Sequence, residues 1–164
     1  MGSVLDTLAN SDYAQWVNQS WGWPLALTIH AFGVAIIVGF TFIMGLRMLF
    51  GMFRTIPYSS FRPLMPWIWV SLVAQAFSGF TLWMTKPAAY LADGMFEIKF
   101  TLVIVASIIA GFFNATLSRE AAGWDASGVV SRRGLRLVAW SCLGWAAVTI
   151  GGRLTAYLGS LYLR

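Results

Sequence analysis

One residue of this chain stands out for its chemistry. His30 is the only histidine among 164 residues, and it lies in WPLALTIHAFGV, an apolar run over 23–34. A polar group inside a hydrocarbon layer is costly and marks a candidate functional site. The imidazole could ligate a metal ion or haem iron, or it could hydrogen-bond a carbonyl or hydroxyl group of a neighbouring helix.

Several other polar residues are predicted to lie at a similar depth. His30 follows Trp23 by seven residues, about 10 Å along a helix, which puts it in the outer third of a membrane. The spans predicted below bring four more polar residues to the outer half: Gln75, Ser78, Lys99 and Arg153. Lys99 and Arg153 suit haem propionates or another buried anion, because charge-assisted hydrogen bonds are strong. Alternatively, both side chains snorkel to the interface.

The elements that carry these residues are predicted from composition. The chain is 59% hydrophobic and 10% charged, whereas soluble domains carry about 25% charged residues. Four apolar stretches approach or exceed the roughly 20 residues that cross a bilayer as a helix, and the alternation typical of a membrane barrel is absent. The spans are predicted at about 23–46, 63–85, 99–118 and 137–160. The fold class is therefore an all-α membrane protein, with one four-helix transmembrane domain over 1–164.

The positions of the basic residues predict the orientation. The N-terminal segment is acidic, and the second loop balances Lys86 and Lys99 against Asp93 and Glu97. The first and third loops carry most of the arginines: Arg47, Arg54, Arg62, Arg119, Arg132, Arg133 and Arg136. The positive-inside rule then puts both termini on the outer, periplasmic side of a bacterial inner membrane.

Two segments outside the spans also carry predictions. Residues 1–22 place apolar side chains on one helical face, which predicts a short amphipathic helix lying in the outer interface. The segment 123–134 is rich in Gly and Ser, which predicts a flexible inner loop. The net charge of +5 is explained by topology rather than by nucleic-acid binding, because the basic residues cluster between apolar spans.

Sulfur-containing residues offer a different chemistry. Met44, Met48 and Met52 follow at i, i+4 and i+8 near the inner end of the first span. Thioethers bind Cu(I), although such a stripe also serves as adaptable packing. Cys142 is the only cysteine and is interpreted as a small buried hydrophobe. The chain has no Ser-His-Asp set, phosphate loop or zinc-spaced cysteine pair, which favours a non-catalytic or electron-transfer subunit over a stand-alone enzyme.

Four stretches carry a family resemblance over roughly residues 18–115: SWGWPLALTIHAFGVAIIVG, GLRMLFG, PLMPWIWVSLVAQAFSGFTLW and PAAYLADGMFEIKF. This pattern resembles an uncharacterised family of bacterial four-helix membrane proteins, classed as a domain of unknown function. In that family an Asp-Leu-Arg-like end follows the histidine of the first helix. Here Gly45 stands where the Asp usually is, so any role of that acid is lost.

A more distant resemblance concerns the histidine and an aromatic-x-x-Lys at the start of the third span. Phe96 and Lys99 supply that pattern, which is similar to CopD-type copper-resistance domains and to HemJ-type protoporphyrinogen oxidases. The HemJ resemblance implies that His30 binds haem b and that Lys99 is an important second residue. The rest of the HemJ pattern is not evident, so its enzymatic activity is not carried over.

These observations lead to three functional hypotheses. The first is an integral inner-membrane subunit of an electron-transfer complex that binds haem b or quinone near the outer leaflet through His30. A low-spin haem would then take its second axial ligand from a Met, a Lys or another subunit. The second is a cofactor-free structural or accessory subunit of a larger membrane complex, and the third is a copper-handling protein. Besides the lipid bilayer, the expected partners are other membrane subunits or a second copy of the chain.

Overall fold

A computed structural model describes residues 4–92 and 94–162, with the side chains of Met95 and 154–162 left aside. The predicted domain over 1–164 and the interfacial segment 1–22 thus extend beyond the described residues at their ends, and Asp93 lies outside them. The chain forms these elements within the two ranges: α1 (Val4–Ala9), α2 (Asp12–Gln19), α3 (Gly22–Phe50), a 3-10 helix (Tyr58–Leu64), α4 (Met65–Met84), α5 (Pro87–Leu91), α6 (Gly94–Ser127) and α7 (Arg132–Tyr162).

The prediction of an all-helical, four-span chain is confirmed. Four helical segments are long and apolar enough to cross a membrane: Gly22–Phe50, Tyr58–Met84, Phe96–Ser127 and Arg132–Arg153. Every one includes most of a predicted span, and the largest difference is at the third, where the helix continues past residue 118. The periplasmic side of the termini stays a prediction, since it rests on the distribution of charge alone.

The four long helices pack antiparallel. α3 packs against both α4 and α7, and α6 packs against α7, whereas α4 and α6 contact each other much less. At one end of the bundle the 3-10 helix fills the space beside α6. We call this the inner end, following the predicted topology. The outer end is the opposite one, where α3 and α6 begin.

Small residues set the close helix crossings. A Cβ on Gly144 of α7 would lie 3.3 Å from the Cβ of Ala106 on α6, and a Cβ on Gly33 of α3 would lie 3.2 Å from the carbonyl oxygen of Ser71 on α4. Helices in lipid associate through such close packing because apolar burial gives no driving force there. The outward face of α4 is correspondingly apolar and exposed, with Val70, Val73, Phe77 and Phe80.

The N-terminal segment folds as two short helices rather than one. Ser11 separates α1 from α2, and its hydroxyl accepts a hydrogen bond from the backbone N–H of Ala14, a cap that starts a new helix. Val17 is fully buried, and the Tyr13 hydroxyl lies 2.9 Å from Oγ1 of Thr81 on α4. These contacts dock α2 onto the outer end of the bundle, while its location at a membrane interface stays a prediction.

The prediction of a flexible inner loop over 123–134 is wrong. α6 continues to Ser127 and α7 begins at Arg132, so only residues 128–131 connect them. Trp124 is buried and packs so closely on α7 that a Cβ on Gly134 would lie 2.8 Å from its ring. Burial of this aromatic side chain outweighs the low helix propensity of the segment, and Gly128 ends the helix with a φ of +70°.

Candidate cofactor site

Three of the residues predicted for the site meet where α3 crosses α4. His30 of α3 lies with its Nδ1 3.0 Å from Oγ of Ser78 on α4. One turn earlier on α4, Nε2 of Gln75 donates a hydrogen bond of 2.6 Å to the backbone carbonyl oxygen of His30. The imidazole and the helix backbone that carries it are therefore both held by α4.

The direction in which the Ser78 hydroxyl donates its hydrogen bond determines the tautomer of His30 and therefore which imidazole nitrogen carries the lone pair. Oγ of Ser78 lies 2.7 Å from the carbonyl oxygen of Ala74, the usual acceptor for a serine inside a helix. When the hydroxyl donates its hydrogen bond to that oxygen, Ser78 has a lone pair for His30, and the imidazole donates from Nδ1. The neutral ring then carries its lone pair on Nε2, for which no hydrogen bond is described among the residues whose side chains the structure describes.

Two glycines allow this arrangement. A Cβ on Gly33 would lie 3.0 Å from Cγ of Gln75, so the glycine lets the amide side chain reach the backbone of α3. A Cβ on Gly79 would lie 3.4 Å from Cε1 of His30, which is tight enough to restrict the ring. The sequence places both glycines on the crossing faces of α3 and α4, and this explains why the imidazole fits between them.

Lys99 joins the cluster from the other side of the bundle. Its side chain is half-buried on α6, and a Cβ on Gly152 of α7 would lie 3.6 Å from its Nζ. The Lys99 side chain therefore lies against α7. None of the described residues forms an ion pair or hydrogen bond with this ammonium group. We call His30, Gln75, Ser78 and Lys99 the outer-end cluster.

Arg153 is not brought into this cluster. It is exposed on α7, one residue after the glycine that contacts Lys99, and no described hydrogen bond links it to His30 or Ser78. Its predicted role toward a buried anion therefore has no support from contacts within the bundle. An exposed arginine at the end of a span is the usual arrangement of a snorkelling side chain.

The donor set restricts what this cluster can hold. Among the described residues, no group of three or more His, Cys, Asp and Glu side chains could hold a metal ion. A single imidazole, with a lysine at the same end of the bundle, suits a cofactor that brings its own ligands and negative charge. Haem meets both requirements, because its porphyrin supplies the other nitrogens and its propionates are anionic.

Comparisons with family models, curated proteins and solved structures give no significant match. What the candidate site can bind is therefore inferred from its own geometry. The resemblance to the uncharacterised four-helix family and to CopD-type and HemJ-type domains stays a prediction.

A second polar cluster lies at the inner end of the bundle, and it was not predicted from the sequence. The guanidinium group of Arg47 is buried and lies 4.1 Å from the ring centre of Tyr58. It donates hydrogen bonds to the Tyr58 hydroxyl at 3.0 Å and to the carbonyl oxygen of Ile56 at 2.9 Å. The carboxylate of Asp125 on α6 accepts hydrogen bonds from the backbone N–H groups of Tyr58 and Ser59.

This inner-end cluster, defined by Arg47, Tyr58 and Asp125, joins three elements. It ties the end of α3 to the 3-10 helix and the 3-10 helix to α6, and Trp124 packs edge-on against the Tyr58 ring at 6.2 Å. One signal in the sequence pointed to it, because Arg47 lies on the same face of α3 as Met44 and Met48. That face is buried, so the arginine could not be a free surface charge.

The methionine stripe does not form one continuous row. Met44 and Met48 are buried in the core, but α3 ends at Phe50 and Gly51 turns the chain with a φ of +65°. Met52 therefore lies beyond the helix and is exposed. The prediction that all three share one helical face is wrong, and the first two serve as core packing.

Cys142 explains the glycine at position 45. A Cβ on Gly45 would lie 2.6 Å from Sγ of Cys142, so a larger residue there would require the helices to separate. The thiol also lies 3.6 Å from the carbonyl oxygen of Thr41. Cys142 thus fills the crossing of α3 and α7, and an acidic residue at position 45 would not fit beside it.

Proposed function

We propose that this protein is an integral membrane subunit of an electron-transfer complex and that it binds haem b through Nε2 of His30, near the outer leaflet. The observation that carries the proposal is the 3.0 Å distance between Nδ1 of His30 and Oγ of Ser78, in which Nδ1 donates when the Ser78 hydroxyl donates to Ala74. Histidines that ligate a metal almost always donate their other ring N–H to a fixed acceptor, which sets the tautomer and the ring orientation. Ser78 supplies that acceptor here.

Lys99 supports the same proposal from the opposite helix pair. An unpaired cation inside a membrane is costly, and such residues pair with another group or mark a functional pathway. A haem propionate would pair with the ammonium group through a charge-assisted hydrogen bond. Haem supplies one-electron chemistry when bound, while the protein's residues hold it in place and balance its charge.

An optical spectrum tests the proposal. The chain is purified in a mild detergent from cells supplied with haem, without a histidine tag, and its haem content is measured per polypeptide. We expect a Soret band in the native chain and its loss in His30→Ala. Thr28→Val is the matched control, because Thr28 lies on the same helix, is exposed, and bonds only the carbonyl oxygen of Pro24. This variant should keep the band.

A folded native chain that takes up no haem would overturn the proposal. Equal haem content in the native chain and His30→Ala would overturn the assignment of the ligand. Folding of each variant is checked by circular dichroism, so that a loss of haem through unfolding is recognised.

One observation favours a second candidate, a cofactor-free accessory subunit. The contacts of His30 with Ser78 and of Gln75 with the His30 carbonyl also join α3 to α4, and interhelical hydrogen bonds of this kind stabilise membrane bundles by about 0.6–2 kcal/mol. In that case His30→Ala would lower thermal stability and change no spectrum. Quinone is the alternative ligand within the first proposal, and it would compete for the site without a Soret band.

A further inference from the structure

The inner end of the bundle carries positive charge that the chain itself does not balance. Arginines are exposed there on the loop after α3, on the 3-10 helix, on α6 and on α7: Arg54, Arg62, Arg119, Arg132, Arg133 and Arg136. No ion pair is described for any of them among the residues whose side chains the structure describes. Two acidic residues, Glu120 and Asp125, lie at this end, and Asp125 already accepts hydrogen bonds from two backbone N–H groups.

The start of α7 shows why these charges favour an external anion. The N-terminus is the positive end of a helix dipole, where a cation is unfavourable and an anion is favourable. The first turn of α7 nevertheless contains Arg132 and Arg133 and no acidic residue. The hydroxyl of Ser131 accepts a hydrogen bond of 3.1 Å from the backbone N–H of Gly134, but it carries no charge. An anion from outside the chain would lower this electrostatic cost.

The loop between α3 and the 3-10 helix puts apolar side chains beside the arginines. Met52, Phe53 and Ile56 are exposed on either side of Arg54, and Phe50 is exposed at the end of α3. An exposed group of large apolar side chains marks a surface that contacts something other than water. Aromatic and basic residues side by side are typical of the headgroup region of a membrane, where rings contact acyl chains and charged groups reach toward phosphate.

The backbone of this loop supports the same interpretation. Phe53 has a φ of +54°, and it is the one non-glycine residue with a positive φ in the part of the chain that the structure describes. The backbone N–H of Ile56 donates a hydrogen bond of 2.9 Å to the carbonyl oxygen of Phe53, which closes the turn. A bulky residue in the left-handed region is strained, yet the side chain of Phe53 stays half exposed. Contact of the ring with acyl chains would offset this cost.

We propose that the exposed arginines of the inner end, together with the loop over 51–57, form a binding surface for anionic phospholipids. Guanidinium groups bind phosphate through paired, charge-assisted hydrogen bonds, and a cluster of about four to eight basic residues next to a membrane span is typical of anionic-lipid recognition. The apolar side chains of the loop favour a lipid over a soluble polyanion. The surface lies at the opposite end from the outer-end cluster, so it is independent of haem binding.

Lipid titration of the haem-free chain tests the proposal. Phosphatidylglycerol or phosphatidylcholine is added to the chain in a neutral detergent, and native mass spectrometry gives the Kd of the first bound lipid. We expect tighter binding of phosphatidylglycerol. The double variant Arg119→Gln/Arg133→Gln should weaken that binding by roughly fivefold for each arginine. Lys86→Gln/Arg153→Gln is the matched control, because it removes the same charge from exposed positions at the outer end, and its Kd should stay unchanged.

Three results of this titration would overturn the proposal. Equal affinities of the native chain for the two lipids would show that the surface does not select anionic lipid. Equal weakening in the two double variants would show that net charge acts without a defined surface. Displacement of phosphatidylglycerol by inorganic phosphate at the same concentration would show an anion site that does not recognise a lipid.

A second measurement keeps the proposal testable if the arginine variant fails to fold. A spin label is attached at Phe53→Cys in a Cys142→Ser background, and the chain is reconstituted in vesicles that contain phosphatidylglycerol. Electron paramagnetic resonance should show a label that oxygen reaches more readily than a water-soluble nickel complex, because the loop lies among lipids. A label at Ser60→Cys, an exposed position on the 3-10 helix, is the control and should be open to the nickel complex. Equal access of this complex to both labels would overturn the proposal.

Discussion

The outer-end and inner-end clusters both bury polar groups among apolar helices, yet they are completed differently. At the inner end, the guanidinium group of Arg47 bonds Tyr58 and backbone carbonyl oxygens, and Asp125 bonds two backbone N–H groups. At the outer end, no hydrogen bond or ion pair is described for Nε2 of His30 or the ammonium group of Lys99 among the side chains that the structure describes.

We interpret this difference as a structural role at the inner end and propose a binding role at the outer end. Buried polar groups are normally hydrogen-bonded, and an incomplete set calls for an explanation. The polar groups of the inner-end cluster have a structural role, since their contacts hold the 3-10 helix between α3 and α6. The outer-end cluster holds its imidazole firmly and leaves one nitrogen open, which is what a ligand-binding histidine requires.

The largest expected effect is on stability at the inner end. Arg47→Leu removes the hydrogen bonds to Ile56 and Tyr58 and leaves their oxygens unpaired, so we expect a loss of about 3 kcal/mol of unfolding free energy. Denaturant unfolding in micelles, followed by circular dichroism, measures it. Arg62→Leu is the control, because Arg62 is exposed at the same end. Haem content of the folded Arg47→Leu fraction should be unchanged, and a parallel loss of haem would contradict the division of roles.

Lys99→Met should have the opposite pattern to Arg47→Leu, because it should raise the stability of the haem-free chain and lower its affinity for haem. Removal of an unpaired cation should stabilise the haem-free chain, whereas haem affinity should fall roughly 10- to 100-fold through the loss of a charge-assisted bond of about 1.5–3 kcal/mol. Haem titration and thermal unfolding of the haem-free chain measure the two effects. Lys86→Met, at an exposed position, should change neither. A drop in stability without a change in affinity would make Lys99 structural.

Ser78→Ala should weaken haem binding by about 10-fold, the lower end of the range for partners of metal-ligating histidines. The reason is that Nδ1 of His30 loses its fixed acceptor, so both tautomers and more ring orientations become populated. Competition with apomyoglobin measures the affinity. Ser107→Ala is the control, because this helical hydroxyl on α6 bonds the carbonyl oxygen of Val103 at 2.7 Å, and equal affinities in the two variants would remove Ser78 from the site.

Asp125→Asn is expected to give the smallest change. The amide oxygen still accepts one of the two backbone hydrogen bonds from Tyr58 and Ser59, so the loss should be about 0.5–1 kcal/mol. Asp125→Ala loses both and should cost more. Thermal unfolding of the two variants gives their order, and a reversed order would show that Asp125 does not anchor the 3-10 helix.

Much of the outer-end cluster could be predicted from sequence because depth in a membrane follows from residue count. The positions of His30, Gln75, Ser78 and Lys99 along their spans put them at one level, and the structure brings the first three into contact. The open nitrogen could not be predicted, since it depends on the distance from Ser78 to both Ala74 and His30. Arg153 has the right depth but lies exposed, because depth alone does not fix the direction of a side chain.

The inner-end cluster was harder to foresee. Arg47 was counted as a topological charge, and Asp125 lay in a segment whose glycines and serines indicated a loop. The burial of Trp124 makes that segment helical, and only then does Asp125 reach the 3-10 helix. The glycines and serines of that segment wrongly predicted a loop, because the packing of Trp124 against α7 favours a helix there.

Isotope labelling tests the central claim most directly, because one histidine in the chain makes the label unambiguous. Haem-loaded, untagged protein is prepared with histidine carrying ¹⁵N at Nε2 alone or at Nδ1 alone, and pulsed electron paramagnetic resonance is recorded on the ferric form. The Nε2 label should show the strong hyperfine coupling of a nitrogen bonded to iron, and the Nδ1 label a weak one. Absence of coupling from both labels, or the strong coupling from Nδ1, would contradict ligation of haem through Nε2 of His30.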